Sequence, residues 1–300
     1  MTEGVLLMAH GTPASTTEIA PFYTRIRRGR PPTEEQLAEL EGRYAAIGGV
    51  SPLAVRTAAQ VDAVRAALET RAPGHYIVSF GAKHTDPLIE ASATRLGAAG
   101  VERVIGLVLT PHGSSLGSQE YLDRAAAALG DTPFVPVAPW YAEPSFVTLV
   151  ARRVQDAMRT VTGRTKVLFT AHSLPERIRD TGDTYPEQLA ESARLVAAAA
   201  GLEEWVVAWQ SAGRTPEPWL GPDVRDVVRQ FGAEGDVESV VVCPIGFVAD
   251  HLEVLYDLDV ELAGVAAASG IAYARTASLN DDADFIASLA DVIIAADGGS

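Results

Sequence analysis

The chain has 300 residues, 47% of them hydrophobic, and carries 39 acidic against 24 basic side chains, a formal net charge of −15. This apolar content is sufficient for one or two packed domains and excludes wholesale disorder. The acidic balance argues against binding to nucleic acid or anionic lipid, so an anionic ligand would have to meet a local basic patch.

Short apolar runs bounded by turn residues alternate along the chain with segments of helical periodicity. Runs this short, without polar alternation, are typical of strands buried on both faces, and their alternation with helices indicates parallel sheets. The predicted strands are Val5–Ala9, Tyr76–Phe80, Val104–Leu109, Phe134–Val137, Val167–Thr170, Trp205–Ala208 and Val240–Cys243. The predicted helices are Glu34–Ala46, Thr57–Leu68, Pro87–Ala98, Gln119–Ala128, Phe146–Val161, Pro186–Ala199, Asp223–Phe231 and Asp282–Ala295.

The pattern predicts an α/β fold with two similar open sheets side by side. One strand–helix series opens at Val5 and a second at Val167, with the long helix from Phe146 between them. We place the boundary near Pro139–Pro144, giving domains of residues 1–143 and 144–281. In such folds, loops at the carboxyl ends of the strands bind the ligand.

Three of the six histidines, His10, His112 and His172, lie at or just beyond predicted strand ends. Imidazole titrates near neutrality and binds metals, so this placement suits proton transfer or metal ligation. A single histidine is more often a structural residue, and both interpretations stay open for each of the three. The Gly-rich phosphate-binding fingerprints of dinucleotide and nucleoside triphosphate enzymes are absent from the sequence, which argues against a nucleotide-binding oxidoreductase.

An acidic row follows the last predicted strand, with Asp250, Glu253, Asp257 and Glu261 spaced to share one face of a helix. A solvated helix face is the ordinary explanation of such a row. The same segment is rich in apolar residues, however, so much of this helix must be buried. A row of carboxylates lining a cleft suits the handling of cations or protons.

One basic cluster balances the acidic row. A Gly and two Pro residues mark it as a loop or helix end, and guanidinium groups bind carboxylates or phosphates bidentately. It comprises Arg25, Arg27, Arg28 and Arg30, preceded by Phe22 and Tyr23. A solvated basic turn is the alternative. Together with the histidines and the acidic row, the cluster indicates a planar polycarboxylate that meets a metal cation.

At this point the residues resemble a known family, the ferrochelatases, and are most similar to its soluble coproporphyrin-type bacterial members. The resemblance spans almost the whole chain and rests on several long motifs in the right order. These motifs are YTRIRRGR from Tyr23, RYAAIGGVSPL from Arg43, AHSLPERI around His172, DTYPEQLAESA from Asp183, WQSAGRTPEPWLGPD from Trp209 and GFVADHLEVLYDLD from Gly246.

The resemblance implies two Rossmann-like domains facing a cleft, with a C-terminal helix of residues 282–300 packing back on the first domain. It implies insertion of Fe²⁺ into coproporphyrin III to give Fe-coproporphyrin III in haem biosynthesis, with the release of two protons. His172 and Glu253 match the paired cleft residues implicated in metal insertion, as proton acceptors or iron ligands. Asp257 and Glu261 match acidic residues proposed to relay metal or protons, on a helix that is locally widened in the family.

The positions matching family contacts to the porphyrin are, in chain order, His10, Tyr23, Arg27, Arg28, Arg43, Tyr44, Ser51 and Tyr121. Lys83 and His84 match a pair near the cleft entrance. The position of His10 is a tyrosine in many coproporphyrin-type relatives. Imidazole binds iron more strongly than phenol does, so we expect His10 to be an axial ligand of the product iron.

Further expectations concern cofactors and partners. Iron is a substrate, and the single Cys243 cannot hold the iron–sulfur cluster of some relatives, so we expect no cofactor. We expect Cys243 to be a buried core residue. The partners expected are coproporphyrin III and Fe²⁺, with no nucleic acid. A monomer is expected, with transient contact with other haem-pathway enzymes left open. The sequence has no apolar run of about 18 residues and no signal-peptide core, so we expect no stable membrane insertion and a cytoplasmic protein.

Three alternatives stay open: a ferrochelatase acting on protoporphyrin IX, a chelatase for another metal or tetrapyrrole, and a non-catalytic tetrapyrrole carrier. Cobalt or nickel insertion into sirohydrochlorin would require several metal-facing histidines. A carrier needs no proton acceptor, so the presence of His172 and Glu253 argues against it. Coproporphyrin is favoured over protoporphyrin because four propionates require more basic contacts than two.

Overall fold

The computed structural model describes residues 2–298, which form two four-stranded sheets with helices around them. The strands are β1 (Glu3–Ala9), β2 (Tyr76–Ala82), β3 (Val104–Val108), β4 (Phe134–Pro136), β5 (Thr165–His172), β6 (Trp205–Gln210), β7 (Ser239–Cys243) and β8 (Ala272–Arg275). The helices are α1 (Ile19–Ile26), α2 (Glu34–Ala46), α3 (Leu53–Arg71), α4 (Ile89–Ala98), α5 (Ser118–Leu129), α6 (Pro144–Met158), α7 (Tyr185–Ala200), α8 (Val224–Glu234), α9 (Leu252–Leu255), α10 (Ala263–Ala268) and α11 (Ala283–Gly298). A π-helix, Asp257–Leu262, lies between α9 and α10.

Both sheets are entirely parallel and have the same strand order, β2-β1-β3-β4 in the first and β6-β5-β7-β8 in the second. Every residue of β1 and of β7 is buried, as the continuous apolar runs predict for strands covered by helices on both faces. The predicted α/β fold with two similar sheets is confirmed. The boundary between residues 143 and 144 coincides with the start of α6, and the division into domains there stays a prediction.

Strand β8 and helix α1 were not predicted, and neither were the short α10 and the 3₁₀ turns Thr16–Glu18 and Glu176–Thr181. Strand β8 is an edge strand of four residues, Ala-Tyr-Ala-Arg, too short and too weakly apolar to stand out. Helix α1 contains Pro21 in its first turn, where proline is tolerated, and it ends where the basic cluster begins. Seven predicted strands and eight predicted helices are present, with ends that differ by a few residues.

Helix α11 packs against α3 beside the first sheet and against α6 beside the second. Trp140, just before α6, places its ring 5.2 Å from Phe146 and 5.9 Å from Phe285 of α11. Near the end of α11, Arg103 donates a 2.6 Å hydrogen bond to the Asp297 carboxylate. The helix predicted over residues 282–300 is therefore seen as far as Gly298, and its last two positions lie outside the described residues.

Candidate active site

His172 ends β5, so the strand itself fixes where its side chain begins. Its Nδ1 lies 2.5 Å from the carbonyl oxygen of Ser173, which can only accept, so Nδ1 carries a proton. The hydroxyl of Tyr185 donates to the His172 carbonyl at 3.0 Å. These contacts orient the ring and leave Nε2 facing Glu253, 3.5 Å from Oε1.

Glu253 lies in the first turn of α9 and is held from several sides. Gln210, the last residue of β6, donates to its backbone carbonyl at 3.0 Å, and Gln210 is itself fixed by a 2.8 Å hydrogen bond from Thr170. A second imidazole, His251, lies on the other side with Nε2 3.6 Å from Oε2. Sequence reasoning missed His251, although it stands two residues before Glu253.

The three side chains form a coupled charge cluster. Burial alone would lower the pKa of His172, but the nearby Glu253 carboxylate outweighs it and raises that pKa to about 9. Burial alone would raise the pKa of Glu253, but His172 and His251 together hold it well below its usual range. At neutral pH, Glu253 is therefore the proton-free member of an ion pair with His172.

The acidic row continues outward from Glu253 along the widened helix. The π-helix begins at Asp257, and the amide of Glu261 donates to the Tyr256 carbonyl five residues back at 2.9 Å. A wider turn brings residues four apart closer to alignment than a regular α-helix does. The widening that the resemblance implied is confirmed.

The partners of Asp257 and Glu261 in this row were not predicted. Asp257 is buried, forms an ion pair with Arg43, and accepts a hydrogen bond from Ser211. Glu261 lies 3.7 Å from Arg225 of α8. The guanidinium of Arg43 also stacks over the Tyr256 ring, 4.9 Å from its centroid. Arg43, expected at the porphyrin, is thus bound to the acidic row.

Asp250 does not belong to the row, contrary to the helical spacing in the sequence. It precedes the N-cap of α9, and its carboxylate accepts hydrogen bonds from Ser278 at 2.6 Å and Asn280 at 2.9 Å. Arg275 adds an ion pair at 3.5 Å. Its role is to join this loop to the segment after β8.

His10 follows β1 and is exposed beside His84, with ring centroids 4.7 Å apart. The Glu253 carboxylate acts on the charge of the His10 ring, so the two halves of the chain face each other here across a space that we call the cleft. Its Nδ1 lies 3.1 Å from the Gly11 carbonyl, which places the proton on Nδ1 and the lone pair on Nε2. Loss of water around the ring lowers the pKa of His84 to about 3. The same loss of water lowers the pKa of His10, although part of this side chain stays exposed, and the charge of Glu253 offsets only part of the effect. Both rings are neutral at pH 7, the form in which imidazole binds metal.

The remaining predicted contacts lie on the first half of the chain. Tyr44 is buried and hydrogen-bonded to Thr12. Ser51 is buried and accepts from the amide of Leu53, the first residue of α3, at 3.2 Å. Tyr121 is buried in α5, with the Lys83 ammonium 5.0 Å from its ring centroid.

The basic cluster starts as the end of α1 and continues as a turn. Arg27 caps the helix and lies 5.5 Å over the half-buried Tyr23 ring, while Arg28 is exposed with φ +56°. Arg25 donates to the His84 carbonyl at 2.8 Å, which fixes the end of α1 beside His10. The cluster is therefore adjacent to the cleft histidines.

Two residues lie outside this site. His112 is buried beside a separate cavity of about 500 Å³, with its ring stacked 5.6 Å from Tyr141, so the third strand-end histidine does not join the other two. Cys243 is a buried free thiol whose pKa burial raises to about 12, and its prediction as a core residue is confirmed.

The architecture and the imidazole–carboxylate cluster at the strand ends define an α/β protein equipped to handle a metal cation and protons. The ferrochelatase family model matches residues 2–297. The chain is 45% identical to the coproporphyrin III ferrochelatase of Halalkalibacterium halodurans, covering 97% of this chain and 96% of the relative. It is 42% identical to that of Anoxybacillus flavithermus, covering 97% and 95%. The chain belongs to the ferrochelatase family.

Solved structures show the same fold at much lower identity. SirB from Bacillus subtilis, solved with Fe³⁺, is 12% identical with a TM-score of 0.60, covering 99% of this chain and 96% of SirB. CbiX, described as the terminal enzyme of sirohaem biosynthesis in denitrifying bacteria, is 16% identical with a TM-score of 0.57, covering 97% and 98%. Within residues 2–298, no helix is both long and apolar enough to cross a membrane.

Proposed function

We propose that this protein inserts Fe²⁺ into coproporphyrin III, giving Fe-coproporphyrin III and two protons in haem biosynthesis. The observation that carries the proposal is the His172–Glu253 pair at the cleft, with Nε2 and Oε1 3.5 Å apart, in a chain 42% to 45% identical to relatives named for this activity. Iron replaces two pyrrole N–H protons of the macrocycle. The site therefore needs groups that accept protons and groups that bind iron.

The second half of the chain supplies the proton and metal chemistry. Glu253 is proton-free at neutral pH and can accept a pyrrole proton, while His172 can bind iron or accept a proton once it has released its own. Asp257 and Glu261 continue the row toward the surface and provide oxygen ligands for an arriving cation. His10 supplies a neutral imidazole that can bind the product iron axially.

The first half supplies the porphyrin contacts. Arg27 and Arg28 follow Arg25, which donates to the His84 carbonyl, and they can bind propionates, with Tyr23 beside Arg27. Tyr44, Ser51 and Tyr121 add hydroxyl groups on the same half. A basic loop of this kind favours four propionates over two, which supports coproporphyrin over protoporphyrin.

The test is an anaerobic titration of the purified protein with Fe²⁺ and either coproporphyrin III or protoporphyrin IX. Insertion is measured by loss of porphyrin fluorescence and growth of iron-porphyrin absorbance. We expect rapid insertion with coproporphyrin, slower insertion with protoporphyrin, and loss of both in His172→Ala. Faster insertion into protoporphyrin would contradict the substrate assignment, and binding without insertion would identify a carrier.

The function as proposed requires no resident cofactor, because iron is a substrate. The monomeric state, the cytoplasmic location and transient contacts with other haem-pathway enzymes stay predictions. Light scattering of the purified protein tests the first, cell fractionation the second and affinity capture from native cells the third.

A further inference from the structure

Each carboxylate of the acidic row has its own cationic partner, and each partner comes from a different part of the chain. Glu253 lies against His172, Asp257 against Arg43 and Glu261 against Arg225. Without metal, positive groups of the protein itself therefore neutralise the row from its inner to its outer end. A divalent cation that binds these oxygens must compete with these partners.

The outermost partner, Arg225, has a second and stronger attachment. Its Nε and Nη2 donate to the two carboxylate oxygens of Asp223 at 2.9 Å and 2.8 Å. Asp223 also caps α8 by accepting from the Arg225 amide at 2.8 Å. Only Nη1 turns toward Glu261, at the longer distance of 3.7 Å. Arg225 can release Glu261 and keep its main hydrogen bonds.

The outer end of the row opens to solvent at this arginine. A surface depression of about 610 Å³ lies between α8 and the end of the row, and its charged lining residues are Arg225, Arg229 and Glu261. The side chains of Arg225 and Glu261 are 41% and 38% exposed, whereas that of Asp257 is only 8% exposed. Of the three carboxylates, Glu261 is the one that a cation from solvent reaches through this depression.

We propose that Arg225 is a displaceable cation that holds the outer end of the acidic row until a divalent metal ion takes Glu261 from it. Asp223 retains the arginine after displacement, so the exchange breaks one long ion pair and no short hydrogen bond. The arginine weakens metal binding at Glu261, which prevents the outer carboxylate from trapping the ion before it moves inward. This inference rests on the proposed function, because it assigns a role to the row in delivering the metal substrate.

The inner partners are poorly suited to such an exchange. Arg43 is bound to a buried carboxylate that also accepts from Ser211, and its guanidinium packs over Tyr256. Displacing it would leave a partly buried charge without a partner. The exposed, longer contact at Glu261 is the least costly of the three to break.

The test is calorimetric titration of the full chain, free of metal and porphyrin, with Co²⁺ at low ionic strength. Arg225→Gln should lower the Kd for Co²⁺ about five- to tenfold, because one positive charge near the ligand is removed. The matched control is Arg229→Gln. Arg229 lines the same depression but pairs with Asp226 at 2.6 Å, so its removal should leave the Kd within twofold of wild type.

Removing Arg225 also frees Asp223, which could itself bind Co²⁺, and two double variants separate these effects. The increased Co²⁺ affinity should persist in Asp223→Asn/Arg225→Gln, where the side-chain amide of the asparagine can still cap α8. The increase should vanish in Glu261→Gln/Arg225→Gln, where the outer carboxylate ligand is gone. The proposal would be overturned if the increased Co²⁺ affinity persisted without Glu261 or was lost without Asp223. Equal Co²⁺ affinities of Arg225→Gln and wild type would also overturn it. Circular dichroism and thermal unfolding verify that each variant is folded.

Turnover with Fe²⁺ and coproporphyrin III gives an independent readout. Arg225→Gln should lower the KM for Fe²⁺ severalfold, and Arg225→Lys, which retains the charge, should restore it toward wild type. If wild type inserts no iron into any porphyrin, the proposed function fails. If wild type is active but Arg225→Gln has unchanged Co²⁺ affinity and KM, only the role of Arg225 fails.

Discussion

His172 and Glu253, which we call the rigid wall of the cleft, are held more firmly than His10 and Arg28, which we call its adjustable wall. On the second half of the chain, Glu253 is fixed by two imidazoles and by a hydrogen bond from the Gln210 side-chain amide to its backbone carbonyl. On the first half, the His10 ring has one hydrogen bond to the adjacent carbonyl. Within residues 2–298, the exposed Arg28 side chain forms no hydrogen bond or ion pair. On the proposed function, we expect the firmly held groups to suit metal and proton transfer, which need fixed geometry, and the adjustable groups to suit the mobile propionates of a planar porphyrin.

The largest effect should come from a change in the rigid wall. Glu253→Gln should reduce iron insertion at least about a hundredfold, because it removes the charged proton acceptor, while changing coproporphyrin affinity less than about threefold. Anaerobic fluorescence gives both quantities. Asp259→Asn is the control, since it lies on the same π-helix but pairs with Arg275. Near-normal insertion by Glu253→Gln would show that Glu253 is not the acceptor.

The adjustable wall should affect the product more than the chemistry. His10→Ala should shift the absorbance of bound Fe-coproporphyrin III and weaken its binding about tenfold, because an axial nitrogen is lost. His10→Tyr should restore part of the affinity with a different spectrum. A product complex whose absorbance is the same in wild type and His10→Ala would contradict axial ligation.

The ion pair of the rigid wall should also appear in the pH dependence of stability. The pKa of His172 is raised from its ordinary 6.5 to about 9. Protonated His172 therefore stabilises the folded state fully below pH 6.5, and this stabilisation is lost as the pH rises through 9. Because the pKa of Glu253 is lowered, ionised Glu253 stabilises the folded state fully above pH 4.5, and this stabilisation is lost in acid. With both groups about one-third exposed, we expect Glu253→Gln to cost about 1 kcal/mol at pH 6 and less at pH 9.5.

Urea unfolding at these two pH values measures the difference. Glu217→Gln serves as the control, because its carboxylate pairs with Arg177 and no imidazole. A cost for Glu253→Gln that grows between pH 6 and pH 9.5 would contradict the assigned charge state of His172.

The smallest effects should come from the basic cluster. Arg27→Ala and Arg28→Ala should each weaken coproporphyrin III binding about threefold, because an exposed charge-assisted contact contributes little. Protoporphyrin IX, with fewer propionates, should be affected less. Fluorescence titration compares them with Arg159→Ala, whose partner is Asp156 on α6. Equal losses for both porphyrins would remove the basis for assigning the cluster to the additional propionates.

The sequence predicted elements well where a local pattern decides the structure. The continuous apolar runs of β1 and β7 correspond to strands buried along their whole length. The four residues of β8 carry no such pattern, because an edge strand is defined by pairing with β7. Helical spacing likewise placed Asp250 in the acidic row, whereas hydrogen bonds from Ser278 and Asn280 hold it outside the helix.

In the site, too, the residues with a local sequence motif were predicted, and the contacts made by the packed fold were not. His172 and Glu253 were predicted from their motifs, and the structure brings them together, although their catalytic roles stay predictions. The partners of the row could not be predicted, because Arg43 and Asp257 are 214 positions apart and only the packed fold makes them neighbours. His251 had a local signal, since it stands two residues from Glu253, but nothing in the spacing shows that its ring turns toward that carboxylate.

The π-helix makes the acidic row sensitive to chain length. Its hydrogen bond from Glu261 to Tyr256 spans one residue more than a regular α-helical bond would. Deleting a single apolar residue there, such as the exposed Val260, would restore regular winding, because the Glu261 amide would then bond the same Tyr256 carbonyl across an ordinary α-helical turn. Glu261 would stand three residues after Asp257 instead of four, about 60° away from it around a regular helix. The number of residues in this one turn, and not only its acidic composition, therefore sets the alignment of the row.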